Sequence, residues 1–134
     1  MRAIPLLLAA ATLTGCMTQP PPETQLAESR AKFQELTAGK VAGSAMACLP
    51  PSLRSRNMVT IDDSTIAYVD SPSRVYVNHL RGECSNLKSG FYTLVVRSQG
   101  SGTCRGDIAD VADVRTGMTA GTCSLGDFVP YTRQ

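Results

Sequence analysis

Three spacings of apolar side chains follow one another along the chain. Residues 3–13 are almost uniformly apolar, interrupted only by Pro5 and Thr12. Residues 23–38 are mostly polar but carry a modest stripe of Leu26, Ala27, Arg30, Phe33 and Leu36, the recurrence of one helical face. Proline before this segment, Glu23 and Glu28 early in it, and Gly39 after it suit a helix start and stop. From Cys48 onward the apolar residues come in short runs separated by turn chemistry, which is the signature of strands.

Those runs define the expected elements. Residues 39–47 are small and read as irregular, and Pro50-Pro51-Ser52 suits a short helical turn. Residues 58–61 read as a strand, and Asp62-Asp63-Ser64 as a turn. Residues 65–70 alternate, with Ile66 and Tyr68 on one face and Ala67 and Val69 on the other. After Asp70-Ser71-Pro72-Ser73, residues 74–80 form the partner strand of a hairpin. Residues 91–96 are a continuous apolar run, the pattern of a strand buried on both faces. Gln99-Gly100-Ser101-Gly102 is a turn, 107–114 a strand, 116–121 a loop, and 123–131 a last strand around Leu125, Phe128 and Val129. The sum is a mainly β fold: a small antiparallel barrel or sandwich of about six strands, preceded by one helix. No internal repeat appears.

The first apolar run is too short to cross a bilayer. Eleven helical residues rise about 16 Å against a hydrocarbon core of about 30 Å. With Met1-Arg2 before it, the run reads as an export signal. It ends in Leu13-Thr14-Gly15-Cys16 and then turns polar. This ending resembles the lipobox of bacterial lipoproteins: a branched apolar residue, two small residues and a cysteine. The resemblance implies removal of residues 1–15 and acylation of Cys16. One acyl chain binds a membrane only marginally, whereas two or three hold it stably, so membrane lipid is the expected partner of Cys16. Met17 stands where an aspartate would retain many such proteins in the inner membrane, so the expected location is the outer membrane, facing the periplasm. Residues 16–22, with Pro20, Pro21 and Pro22, form a proline-rich tether.

Composition narrows the classes of function. Thirteen Lys and Arg face 11 Asp and Glu, a net charge of +2, and loss of residues 1–15 removes only Arg2 from this set. A chain so close to neutral, without a basic run, lacks the electrostatic footprint of nucleic-acid binding. With no tryptophan and only three phenylalanines and four tyrosines, the core must come from smaller aliphatic residues, and small exported domains usually add staples.

Cysteine supplies them. Setting Cys16 aside for lipid leaves an even set, Cys48, Cys84, Cys104 and Cys123. No close Cys-x-x-Cys pair exists among them, which argues against a thioredoxin-like redox site or a zinc ribbon. In an oxidising compartment two disulfides are expected, with three connectivities open. The preferred one joins Cys48 to Cys104 and Cys84 to Cys123, tying early segments to late strands. Each bond would contribute about 4 kcal/mol by the chain-entropy estimate.

The order Cys48-Leu49-Pro50, Asp63 to Tyr68, Arg74-Val75-Tyr76-Val77-Asn78 with Leu80, Cys84, Cys104-Arg105-Gly106-Asp107, and Cys123-Ser124-Leu125-Gly126 with Phe128 and Pro130-Tyr131 resembles a family of small exported proteobacterial proteins known only as a domain of unknown function. The similarity spans residues 45–132. It implies a shared fold and stapling pattern, and it brings no activity, ligand or catalytic residue.

Tests for chemistry return little. Ser85-Asn86-Leu87-Lys88 and Lys88-Ser89-Gly90 spell two motifs of penicillin-binding enzymes, but those motifs lie far apart in much larger domains. His79 alone would have to serve any serine or cysteine triad, and it reads as a strand-end residue on the face of Val75 and Val77. Any enzyme site would have to gather Arg54, Arg56, His79 and acids. Arg105-Gly106-Asp107 matches an adhesion tripeptide. Asp107, Asp110 and Asp113 recur every third residue without the calcium-loop pattern, so a solvated acidic surface is expected, with weak cation binding as the alternative. No cofactor is expected. The sequence therefore points to a non-enzymatic, membrane-anchored envelope protein, structural or binding an envelope partner, with a small-ligand or cation-binding periplasmic module as the alternative.

Overall fold

The computed structural model describes residues 22–53, 57–82, 84–100 and 102–134. The expected export signal, the expected acylation site Cys16, nearly all of the expected tether, Arg54 and Arg56 lie outside the described residues. No helix among those described is long and apolar enough to cross a membrane.

Among the described residues one α-helix, α1 (Glu23–Thr37), precedes eight strands: β1 (Val41–Ala42), β2 (Met58–Thr60), β3 (Thr65–Ser71), β4 (Arg74–His79), β5 (Tyr92–Arg97), β6 (Ile108–Asp113), β7 (Thr119–Ser124) and β8 (Phe128–Thr132). They build two antiparallel sheets, one ordered β1-β8-β4-β3-β2 and the other β5-β6-β7. Of the two expected architectures the chain adopts the sandwich, with α1 against the outer face of the larger sheet.

Alternation along β3 and β4 sorts side chains to two cores. Ile66, Tyr68 and Tyr76 join Phe128, Leu94, Val111, Ala109 and Cys123 between the sheets. Ala67, Val75 and Val77 face the other way and, with Ile61, receive Phe33 and Leu36 from α1. The larger sheet is thus the middle layer, and its central strands are the ones buried on both faces. That corrects the reading of residues 91–96. β5 is an edge strand with only Leu94 fully buried, while Phe91 and Val95 are exposed. A continuous apolar run does not reveal which of its faces meets a second layer.

α1 docks through the second half of the expected stripe, Phe33 and Leu36, and not through its first half. Leu26, Ala27 and Arg30 are exposed, and the inward positions are Ser29, Phe33 and Leu36. Phe33 meets the Tyr131 ring edge-on at 5.8 Å. The hydroxyl of Ser29 lies 3.2 Å from the carbonyl oxygen of Ile61 and 2.9 Å from that of Gln25, and it accepts from Lys88 Nζ at 3.0 Å. A small polar residue suits this spot because strand and helix approach closely there. The helix ends in a turn closed by Lys40 N donating to Thr37 O, with Gly39 at φ +65° in the left-handed region that glycine enters without penalty.

Residues 39–47 are less irregular than their composition implied. β1 pairs with β8, Gly43 N donates to Pro130 O at 2.7 Å, and Met46 exchanges two bonds with Phe128. Pro130 has no N–H to return to Gly43, so the regular ladder stops at Ala42 while β8 keeps its register with β4 on the other side. The expected loop at 116–121 is instead partly strand, because β7 begins at Thr119 after a tight turn at 114–118.

The expected single strand over 123–131 is two strands in different sheets. Cys123 and Ser124 end β7, residues 125–127 cross over, and β8 begins at Phe128 between β4 and β1. Asn78, fully buried on β4, holds the crossing. Its Nδ2 donates to Gly126 O at 2.8 Å and Asp127 O at 3.2 Å, and its Oδ1 accepts from Gly126 N at 3.0 Å. A Cβ at Gly126 would collide with the backbone carbonyl oxygen of His79.

Both disulfides form in the preferred connectivity, Cys48–Cys104 and Cys84–Cys123, closing 56 and 39 residues. Cys48 and Cys104 face each other across a short antiparallel bridge. Leu49 N donates to Thr103 O and Arg105 N to Ala47 O, making this a non-hydrogen-bonded pair, the type in which side chains come closest. Cys84 and Cys123 are buried in the main core.

Candidate functional site

The three aspartates do not gather. Asp107 is buried and closes the turn after Cys104, its Oδ2 accepting from Cys104 N at 2.8 Å. Asp110, also buried, accepts from Arg97 Nε at 2.6 Å and Thr122 Oγ1 at 3.1 Å on the outer face of β5-β6-β7. Asp113 sits at the turn before β7, where Oδ1 accepts from Arg115 N at 2.8 Å and Thr116 N at 2.9 Å. The backbone bonds from Thr116 and Arg115 hold this carboxyl below its usual range. The expectation of a solvated acidic surface is corrected for Asp107 and Asp110: strand alternation separates these acids, and local bonds cover each of them. Among the described residues no three His, Cys, Asp or Glu side chains converge on a point.

The same accounting covers the other motifs. Arg105 is paired with Asp127 at 2.7 Å and Asp107 is buried, so the Arg105-Gly106-Asp107 carboxylate is not on offer to a receptor. Lys88 is a clamp. Its Nζ donates to Gln25 O at 2.6 Å and to Ser29 Oγ, and lies 3.3 Å from Glu28 Oε2, pinning α1 to the single-turn 3-10 helix Leu87–Ser89. Asp63 caps that turn by accepting from Asn86 N and Lys88 N. His79 ends β4, with Nδ1 3.4 Å from Thr65 Oγ1. It borders a shallow cleft of about 220 Å³ under α1, together with Ser29, Arg30, Phe33, Ile61 and Asp62. The cleft holds one histidine, one arginine and one acid, and the hydroxyl beside His79 in it is that of Thr65.

What does gather is apolar and faces outward. Strand alternation places Phe91, Thr93, Val95 and Arg97 on the outer face of β5, and Ile108, Asp110, Ala112 and Val114 on that of β6. Phe91, Val95, Ile108 and Val114 are large and exposed, and Met118 joins them at the β6–β7 turn. Val114 N donates to Phe91 O at 3.0 Å, which sets these two side by side, and Asp113 N donates to Met118 O at 2.9 Å, which puts Met118 opposite Asp113 at the same end of the sheet. The Arg97–Asp110 pair crosses the middle of the face and fixes its one buried charge. Sequence reasoning missed this surface because its residues look like core. The only available signal was that β5 lacks a further partner strand, which topology alone supplies.

No known family, curated protein or solved structure matches this chain.

Proposed function

We propose that the chain is a lipid-anchored protein of the bacterial envelope, held through acylated Cys16, that acts by surface contact and not by catalysis. Its stapled sandwich presents the outer face of β5-β6-β7 to an envelope protein. The observation that carries this reading is a division of labour. The polar motif residues Asp107, Asp110, Asp113, Arg105 and Lys88 each serve a bond within the fold, while four of the large exposed apolar side chains, Phe91, Val95, Ile108 and Val114, fall on one face of one sheet. Exposed apolar surface collected on one face is the usual mark of a contact site. The lipobox-like Leu13-Thr14-Gly15-Cys16 supports the anchor, and two disulfides suit an oxidising compartment. The outer membrane follows from Met17.

Photo-crosslinking in intact cells tests the contact. A photoreactive residue at Val95 or Ile108 is expected to give one discrete protein adduct. The same residue at Val41, exposed on the other sheet, gives none. Equal labelling at all three positions contradicts the reading.

A further inference from the structure

The contact face has two ends, and one lies where the tether enters the fold. Lys88 holds the first turns of α1 through Gln25, Glu28 and Ser29, and the chain runs from Lys88 directly to Phe91. Phe91 is 62% exposed, its cross-strand neighbour Val114 56%, and Met118, across the turn, 71%. All three therefore sit at the end of the molecule at which α1 begins. From Cys16 to Pro22 the chain advances six residues, at most about 21 Å when extended. An acyl group on Cys16 thus keeps this end close to lipid. The opposite end of α1, near Gly39 and Val41, is displaced by a 15-residue helix, about 22 Å.

We propose that the end of the three-stranded sheet formed by Phe91, Val114 and Met118 seats on the same bilayer surface that holds Cys16. This inference rests on the acylation of Cys16 and deepens that reading, because it assigns the anchored domain a fixed orientation. Chemistry at this end suits a lipid interface. A branched aliphatic and a thioether flank one tight turn, and an aromatic ring stands beside Val114 at the entry to β5. Arg115, exposed between Val114 and Met118, stands where an anionic headgroup would meet it. The nearest acid, Asp113, directs its carboxylate at the backbone N–H groups of Arg115 and Thr116. Two contacts, acyl chains and an apolar tip, hold a domain in one pose where a tether alone leaves it free to turn. With the tip on lipid, Val95, Ile108 and the Arg97–Asp110 pair stay on the part of the sheet that points away from the bilayer and remain open to a protein.

The chain has no tryptophan, so a single introduced one reports alone. Full-length protein carrying Phe91→Trp, Met118→Trp or Val41→Trp is purified with its anchor and reconstituted into phosphatidylethanolamine–phosphatidylglycerol vesicles, with and without lipids brominated near the headgroup. Tryptophan at positions 91 and 118 is expected to shift to the blue and to be quenched several-fold more than at 41. Vesicle flotation of the same samples separates the two levels of the argument. Protein that floats but is quenched no more at 91 and 118 than at 41 overturns the lipid seat and leaves the anchor standing. Protein that does not float overturns the anchor and the seat together. A discrete protein adduct from a photoreactive residue at position 91 in intact cells, without bromolipid quenching in vesicles, assigns the tip to a protein partner and overturns the seat.

Discussion

The side chain of Asn78 pairs with the backbone of Gly126 as a neighbouring strand would, donating to its carbonyl and accepting from its N–H. This exchange stands at the point where the chain leaves one sheet and enters the other, where no strand is available to satisfy those groups. Buried backbone groups without partners are costly, so the amide replaces the missing ladder.

Replacing Asn78 by Leu should leave Gly126 N, Gly126 O and Asp127 O without their present partner. The expected loss is about 2–4 kcal/mol of unfolding free energy. Asn78→Asp keeps the acceptor but sets a carboxylate against two carbonyl oxygens, so it should be at least as damaging at neutral pH. Chemical denaturation of both variants checks this, and a loss under about 0.5 kcal/mol would remove Asn78 from its bridging role.

Tyr68 presents the opposite case. Its hydroxyl is buried with no hydrogen-bond partner among the described residues, although its ring packs edge-on against Phe128 at 6.0 Å. Tyr68→Phe removes an unsatisfied polar atom and keeps the ring, so stability should hold or rise by up to about 1 kcal/mol. Burial, with a smaller contribution from the nearby Asp107 charge, pushes the phenol up to about 12. A raised folded value means that stability is fully present below the ordinary phenol value of about 10 and is lost as pH rises from there towards 12. Tyr68→Phe should shed that part of the alkaline loss, which thermal melts across the alkaline range would show.

Much of this frame is legible in the sequence, and the reasons for the misses are particular. Alternation in residues 65–70 and 74–80 locates β3 and β4 because period-2 patterning is a local property. The cysteine count, once Cys16 is set aside, points to two staples. The switch at Gly126 is not legible, because Leu125-Gly126-Asp127 interrupts an apolar run too briefly to signal a change of sheet. Val95 and Leu94 are interchangeable to a hydropathy reading, yet one faces solvent and the other the core. That difference depends on which face of the sheet meets a second layer, a non-local fact. Likewise Asp107 and Asp110 look like surface acids until the strand bearing them is placed.

The two disulfides should differ in accessibility. Cys84 and Cys123 lie in the core, whereas Cys48 is exposed and Cys104 half-buried. Mild reductant applied to the folded protein should open Cys48–Cys104 first, and alkylation followed by peptide mass mapping would read the order. Removing Cys84–Cys123 by paired alanine substitution should cost about 2–5 kcal/mol. Preferential labelling of Cys84 would contradict this arrangement of the core.

Lys88→Ala should loosen the start of α1 without disturbing the sheets. Losing a charge-assisted bond to Gln25 O and the bond to Ser29 Oγ is expected to speed amide exchange in the first half of the helix about tenfold. Strand amides of β3 and β4 should be unchanged. Uniform acceleration throughout the domain would mean that Lys88 supports the whole fold and not this one contact.

The proposed anchor on the stapled sandwich is tested most directly by the intact mass of the protein isolated from the cells that make it. The expected species is a chain that begins at Cys16, carries a diacylglyceryl group on that residue, and is lighter by the four hydrogens that two disulfides remove. An unacylated chain, or one that begins at any other residue, would contradict it.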